Sequence, residues 1–463
     1  MEPTREMQMK ESQFHDSSSD NEATKPELVS HNHGTQDFQA VSPESEDNTT
    51  NIYSQGGKSF RTLGRWDTIF ILFANQIGLG ILSLPSTLKT LGVVPGVIAL
   101  IGIGIISWYT AYELLQFYRI HPQVLNIVEM TGFVGGPWLE AVAGVMMMIQ
   151  VIFVAASAIV TLSIALNTIS SHAACTFVSK LGIPNAVSVL SAVMLVMIAL
   201  GVSGPGKVPS LADWHREIKV VGTPSFREGL NACLKIVFAY AANLSFVGYM
   251  AEMKDPIKDF KFCLAFLEGC SILMYVVFAI ILYCLGGEYT TSPILGATSP
   301  TLAKAAYGVA LPAIFATGLA YGHIGAKYIF VNVMRWTGAV HEVTSNTARS
   351  WGVWVASVTG FWIVVFILSN AIPVFDSILS ITSATTISWF TYGFSAVFWF
   401  NINRKSLFQD WKKSCLTVLN VLLVIMSLFM NAAGLWASIT ELLDLFNADD
   451  SSIRGVFSCG SNA

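Results

Sequence analysis

Residues 75–85 read NQIGLGILSLP. Asn75 and Gln76 bring two amide side chains, Ile77 follows, Gly78 and Gly80 flank Leu79, and Pro85 closes the run. Inside an apolar stretch this set weakens a helix. Glycine lowers helix stability by about 1 kcal/mol relative to alanine, and proline cannot continue the hydrogen-bond ladder. A helix that opens here exposes backbone N–H groups and the N-terminus of a half-helix, which suit a carboxylate. The same residues also suit close helix packing through small side chains. A second run, residues 236–246, reads IVFAYAANLSF and is followed by EMKDP at 252–256. Carbonyls freed there can accept from an ammonium group, with Phe238, Tyr240 and Phe246 shaping an apolar pocket. The alternative is a packed helix with an aromatic stripe.

Six ionisable side chains lie in or beside apolar stretches: Glu113, Glu140, Lys235, Glu268, His323 and Lys327. Charge within a membrane is costly and usually functional. Glu113, Glu140 and Lys235 fall near stretch ends, where they can snorkel to water. Glu268 is a coupling or gating residue, or an interhelical hydrogen-bond partner. His323 and Lys327, four apart, share one helix face. His323 titrates near physiological pH and Lys327 is a fixed cation; the other reading is a hydrogen-bonded histidine and a snorkelling lysine. Paired catalytic acids, histidine clusters and nucleophile motifs are missing, which argues against an enzyme. The seven cysteines show no metal-ligand or redox spacing. No metal or cofactor is expected.

The body that positions these residues is a membrane-embedded helical bundle. Hydrophobic residues make up 53% of the 463 and charged residues 12%, with a mean hydropathy of +0.57. Soluble proteins carry about 25% charged residues, so soluble classes drop out. A bilayer core of about 30 Å takes about 20 apolar residues as helix. Ten stretches qualify: 66–88, 92–117, 138–169, 184–202, 229–250, 263–286, 308–334, 351–371, 375–401 and 416–446. The third is too long to cross without tilt. Trp108, Trp138, Trp351, Trp354, Trp389 and Trp436 fall towards stretch ends, as interfacial belts do. Residues 1–57 hold eleven acids and three bases with no apolar periodicity, the composition of a disordered tail. The remainder is mildly basic, without the clustered soluble face of a nucleic-acid binder. The expected organisation is an acidic cytoplasmic tail over 1–57, a membrane domain over 58–446 with ten clear spans, and a short C-terminal tail over 447–463.

Lys58, Arg61 and Arg65 precede the first span, which puts the N-terminus in the cytoplasm. Counting forward from there puts loop 203–228 inside. Counting backward from the basic loop 401–414 puts the same loop outside. One crossing between the third and fifth spans is therefore missing, extra or misread. Symmetry gives the same deficit. Inverted-repeat membrane folds place an interrupted helix at matching positions in each half. Here the second run opens five spans and the first opens four.

With these motifs in place, NQIGLGILSLP, IVFAYAANLSFVGYMAEMKDP, AYGHIGAKYIF and IPVFDSILSITSATTISWFTYGFSAVFW, the chain resembles the amino acid/auxin permease family. The likeness runs over roughly residues 60–440 and is nearest to the fungal neutral amino acid permeases of the methyltryptophan-resistance type. It implies an all-α LeuT-like bundle of the APC superfamily, with a five-plus-five inverted repeat. It implies neutral amino acids and protons as the transported partners, in a plasma membrane or, alternatively, a vacuolar one. By motif, Gly78, Leu79 and Gly80, with Ile77, would hold the substrate carboxylate. Phe238, Ala239 and Tyr240 would receive the amino group and side chain, with Asn75 and Asn243 as polar neighbours. Lys327 could stand beside the first span where sodium sits in sodium-coupled relatives. The sequence departs from the family after residue 171, where most of the fourth span is absent. That departure keeps a non-transporting short form as an alternative.

Overall fold

The computed structural model describes residues 61–170, 185–206, 217–343, 345–372 and 374–447. The expected tails and residues 171–184, where the fourth span should lie, fall outside them. In chain order the helices are α1 (Arg65–Gln76), α2 (Leu84–Leu91), α3 (Val93–Ile120), α4 (Ile127–Ile169), α5 (Asn185–Ser203), α6 (Phe226–Ala239), α7 (Asn243–Glu252), α8 (Pro256–Gly286), α9 (Pro300–Trp336), α10 (Ala348–Ala371), α11 (Phe375–Thr382), α12 (Phe394–Asn403), α13 (Trp411–Phe429) and α14 (Leu435–Asn447). All ten apolar stretches coincide with helix. Among the described residues seven helices are long and apolar enough to cross a membrane, counting Phe226–Glu252 and Trp411–Asn447 as one each. The other three stretches are α1–α2, which is interrupted, α5, of which Leu190–Ser203 counts as a shorter apolar helix, and α11–α12, which changes helix type between them.

Local chemistry sets the breaks. α4 is two helices joined at Gly136, whose φ of +70° only glycine adopts freely, with Pro137 starting the longer part. The kink precedes the third apolar stretch, so residues 138–169 run as one continuous helix that must tilt or project to fit a bilayer. A capping box starts α6: the Glu228 amide donates to Ser225 Oγ at 3.3 Å and the Ser225 amide to Glu228 Oε2 at 2.8 Å. Between α11 and α12 residues 383–393 form π turns, and a second π segment, Met430–Gly434, faces them. Asn431 of that segment donates to the Ala384 carbonyl and accepts from the Trp389 indole. Trp389 thus belongs to this internal contact and not to an interfacial belt. π turns leave carbonyls without their usual partners, and the Asn431 amide satisfies one.

Side-chain and loop contacts fix the direction of each helix. At the near face, where α1 begins, the Leu63 amide donates to the Glu252 carbonyl at 3.1 Å and the Lys254 amide to the Leu63 carbonyl at 3.0 Å. Arg65 pairs with Asp259 at 2.5 Å. At the far face the Val93 and Val94 amides donate to the carbonyls of Lys219 and Val220 at 3.0 Å, and the Gly222 amide donates to the Leu91 carbonyl at 2.8 Å. The Gly206 amide donates to the Ala297 carbonyl at 3.0 Å, so α5 ends on the far face beside the start of α9. α4 runs antiparallel to α9, with Glu129 facing Arg335, Gly144 against the Tyr328 hydroxyl and Ala158 against Gly318. α4 therefore also ends on the far face. Two consecutive helices end on the same side, as the backward charge count requires of loop 203–228.

Candidate functional site

The two interrupted helices meet at their breaks. α1 ends at Gln76; Ile77 and Gly78 leave helical geometry, Leu79–Leu82 forms one 3-10 turn, and α2 starts at Leu84 with Pro85 in its first turn. α6 ends at Ala239, residues 240–242 turn, and α7 starts at Asn243. A Cβ on Gly80 would lie 2.7 Å from Ala239 Cα, so the backbones approach as closely as only glycine permits. Between the breaks lies a cavity of about 20 Å³, lined by residues of both together with Val154 of α4 and Thr317 and Tyr321 of α9. A water molecule fits such a space; an amino acid does not.

Of the nine residues expected to bind substrate, Asn75, Gly78, Leu79, Gly80 and Phe238 line this cavity. Ile77, Ala239, Tyr240 and Asn243 do not. Tyr240 turns away: its hydroxyl donates to the Leu100 carbonyl at 3.2 Å. Asn243 donates to Thr110 Oγ1 at 3.2 Å and to the Thr391 carbonyl at 3.3 Å, tying α7 to α3 and to the π segment. Asn75 also donates to Ser245 Oγ at 2.5 Å. His323 and Lys327 lie further along α9 on an exposed face, with His323 edge-on to Trp354. The α9 residue beside the first break is Thr317, whose Oγ1 is 3.6 Å from a Cβ built on Gly78 and has no hydrogen-bond partner. Gln76, Ala241 and Ala242 also line the cavity and were reachable from sequence, since they neighbour the glycines and the second break.

Sequence gave no signal for Tyr275. This tyrosine of α8 is fully buried, and its hydroxyl lies 2.8 Å from the Gln76 carbonyl and 3.0 Å from the Ala239 carbonyl. Those are the last residues of α1 and α6, whose carbonyls lose their helical partners where each helix stops. One hydroxyl proton is thus shared between both breaks. Tyr275→Phe leaves both carbonyls without that donor, at a cost of about 1–3 kcal/mol for a buried polar group. The purified variant is expected to denature at lower temperature than wild type. Equal thermal midpoints would show that the hydroxyl holds nothing.

Residues 61–440 match the family described as transmembrane amino acid transporter protein. The N amino acid transport system protein of Neurospora crassa is 30% identical over 433 residues, covering 88% of this chain and 90% of that protein. A protein of Gibberella moniliformis named transmembrane transporter is 26% identical over 436 residues, covering 88% of this chain and 89% of its own length.

Proposed function

The chain belongs to the transmembrane amino acid transporter family, and it is a multi-pass membrane protein that transports amino acids and not an enzyme; from that premise we propose that it is a proton-coupled symporter of neutral amino acids. α1–α2 and α6–α7 head the two halves of a LeuT-type inverted repeat. Substrate sits between the two breaks, with its carboxylate on the N–H groups of residues 78–80 and its side chain against Phe238. The single observation that carries this reading is the meeting of two interrupted helices at Gly80 and Ala239 around one small cavity. Transport then follows from alternating opening of that cavity to either face. Neutral substrates are favoured because no charged side chain among the described residues lines the cavity. The basic residues before α1 support a cytoplasmic N-terminus, and the plasma membrane is the proposed location.

Uptake of radiolabelled neutral amino acids tests this in cells stripped of their own permeases. Faster uptake at external pH 5 than at pH 7, with tagged protein at the cell surface, is the expected result. Labelled protein on the vacuole and none at the surface would move the proposal to vacuolar export. A second reading, a non-transporting short form, is favoured by α4 and α5 both ending on the far face. Uptake only after a helix is inserted between residues 170 and 185 would establish it.

A further inference from the structure

We propose that Glu268 carries the co-transported proton, and that the carboxylate of a bound amino acid controls its proton occupancy through Gln76. This rests on the proton-coupled reading above and names the residue responsible.

Glu268 lies within α8, fully buried. Its Oε2 accepts from Gln76 Nε2 at 3.2 Å, and its Oε1 has no hydrogen-bond partner. The groups that face it are neutral. They are Gln76 of α1, Tyr240 at the end of α6, Tyr275 of α8 itself, and Tyr392 of the π segment, which is bonded to Ser107 of α3 at 3.1 Å. The charged residues of the helices packed against α8 are engaged elsewhere. Arg65 of α1 pairs with Asp259, Asp67 of α1 accepts from the Gly64 amide, Lys89 of α2 donates to the Thr290 carbonyl, Arg119 of α3 donates to the Ile257 carbonyl, and Lys258 and Lys261 at the start of α8 are exposed. Glu252 closes α7 at the near face and is exposed, Glu113 of α3 neighbours Tyr109 and Asn420, and α5 holds no charged residue.

A buried carboxylate without a cation is far more costly charged than neutral. A proton on Oε1 removes that cost. Gln76 connects this group to the cavity, because the same side chain ends α1, lines the site and donates to Glu268. A substrate carboxylate on residues 78–80 therefore stands one side chain away from a second carboxylate. Two neighbouring negative charges oppose each other. Substrate binding favours proton binding at Glu268, and by linkage the proton favours substrate equally. The proton bonds to Oε1 when the site faces water on one side and leaves to water on the other; no electrons move. Glu113 is the other buried carboxylate among the described residues, but it does not reach the cavity.

The test uses the full chain in proteoliposomes. For one proton per substrate, a gradient of one pH unit supports about tenfold accumulation. Wild type and Glu113→Gln are expected to accumulate substrate to that extent, with a KM that falls as external pH falls. Glu268→Gln is expected to lose the accumulation and the pH dependence of KM, while still exchanging labelled for unlabelled substrate. Gradient-driven accumulation by Glu268→Gln would overturn the proposal. Wild type that ignores the gradient would instead overturn the proton-coupled reading itself. A measurement on the unaltered protein covers a variant that misfolds. A hydrophobic carbodiimide, which reacts with protonated buried carboxyls, should modify Glu268 at neutral pH and less so as pH rises. An unmodified Glu268 across that range also overturns the proposal.

Discussion

Gly80→Ala is expected to abolish amino acid uptake while the protein still reaches the membrane. The added Cβ would lie 2.7 Å from Ala239 Cα and 3.0 Å from Ala239 Cβ. The nearest atoms belong to backbone and to a side chain with no rotamers, so neither can swing aside. Overpacking of this kind costs about 1–3 kcal/mol, and here the cost falls on the contact that sets the cavity. Gly78→Ala provides the contrast. Its Cβ would meet Thr317 Oγ1 at 3.6 Å and the Asn75 carbonyl oxygen at 3.8 Å, both ordinary contacts, but it would occupy space at the first break. Retained uptake with a raised KM is expected there. Uptake kinetics normalised to surface-biotinylated protein distinguish the two. Wild-type rates in Gly80→Ala would remove the substrate site from this crossing.

The second large effect is expected at the far side of the same site. Lys235 of α6 pairs with Asp376 of α11 at 2.6 Å, and Ser292 donates to the other oxygen of Asp376 at 2.5 Å. Lys235 therefore does not snorkel, as its place near a stretch end suggests. Its side chain is 12% exposed and that of Asp376 24%. Breaking a buried pair costs about 3–5 kcal/mol; the residual exposure reduces this to about 1–3 kcal/mol. Lys235 lies one turn before Phe238, which lines the cavity, so the pair joins the wall of the site to the start of α11. Lys235→Met and Asp376→Asn are each expected to lower surface-normalised uptake at least about fivefold, the equivalent of the lower end of that energy. The exchanged pair Lys235→Asp with Asp376→Lys is expected to recover part of it. No recovery, with both single variants impaired, would show that position and not pairing matters.

Much of this fold is legible in the sequence because lipid demands it. Apolar runs of about 20 residues can be little else, so all ten stretches coincide with helix. The breaks at Gly78–Gly80 and at Tyr240–Ala242 were legible for a related reason, since glycine, proline and small polar residues are poor choices inside a helix. Side-chain direction was less accessible. Tyr240 and Asn243 sit at the break expected of them, yet both point into neighbouring helices, and only packing decides that. His323 and Lys327 do share a helix face, but spacing does not say which way the face turns. Tyr275 is one aromatic residue among many until its hydroxyl is seen against two helix ends. The Lys235–Asp376 pair joins positions 141 residues apart, beyond any local pattern. The π turns of 383–393 involve Asn431, a partner from another segment, as well as the Thr385, Thr386 and Ser388 hydroxyls, which donate to carbonyls four residues back.

The common direction of α4 and α5 bears on how this chain is mapped by experiment. A topology drawn by alternating sides at each apolar stretch is correct up to α4 and inverted from α5 onward. Gly222 bonded to Leu91 and Lys89 bonded to the Thr290 carbonyl place residues 217–225 and the loop 287–299 beside the turn at residue 92, and Gly206 bonds to Ala297. Reporter enzymes or accessible cysteines placed in those three loops should therefore give one common signal. A tag between α9 and α10 should give the opposite one. Read against a simple tally of hydrophobic segments, that pattern would look like a fusion artefact; read against the helix directions, it is the ordinary signal of this chain.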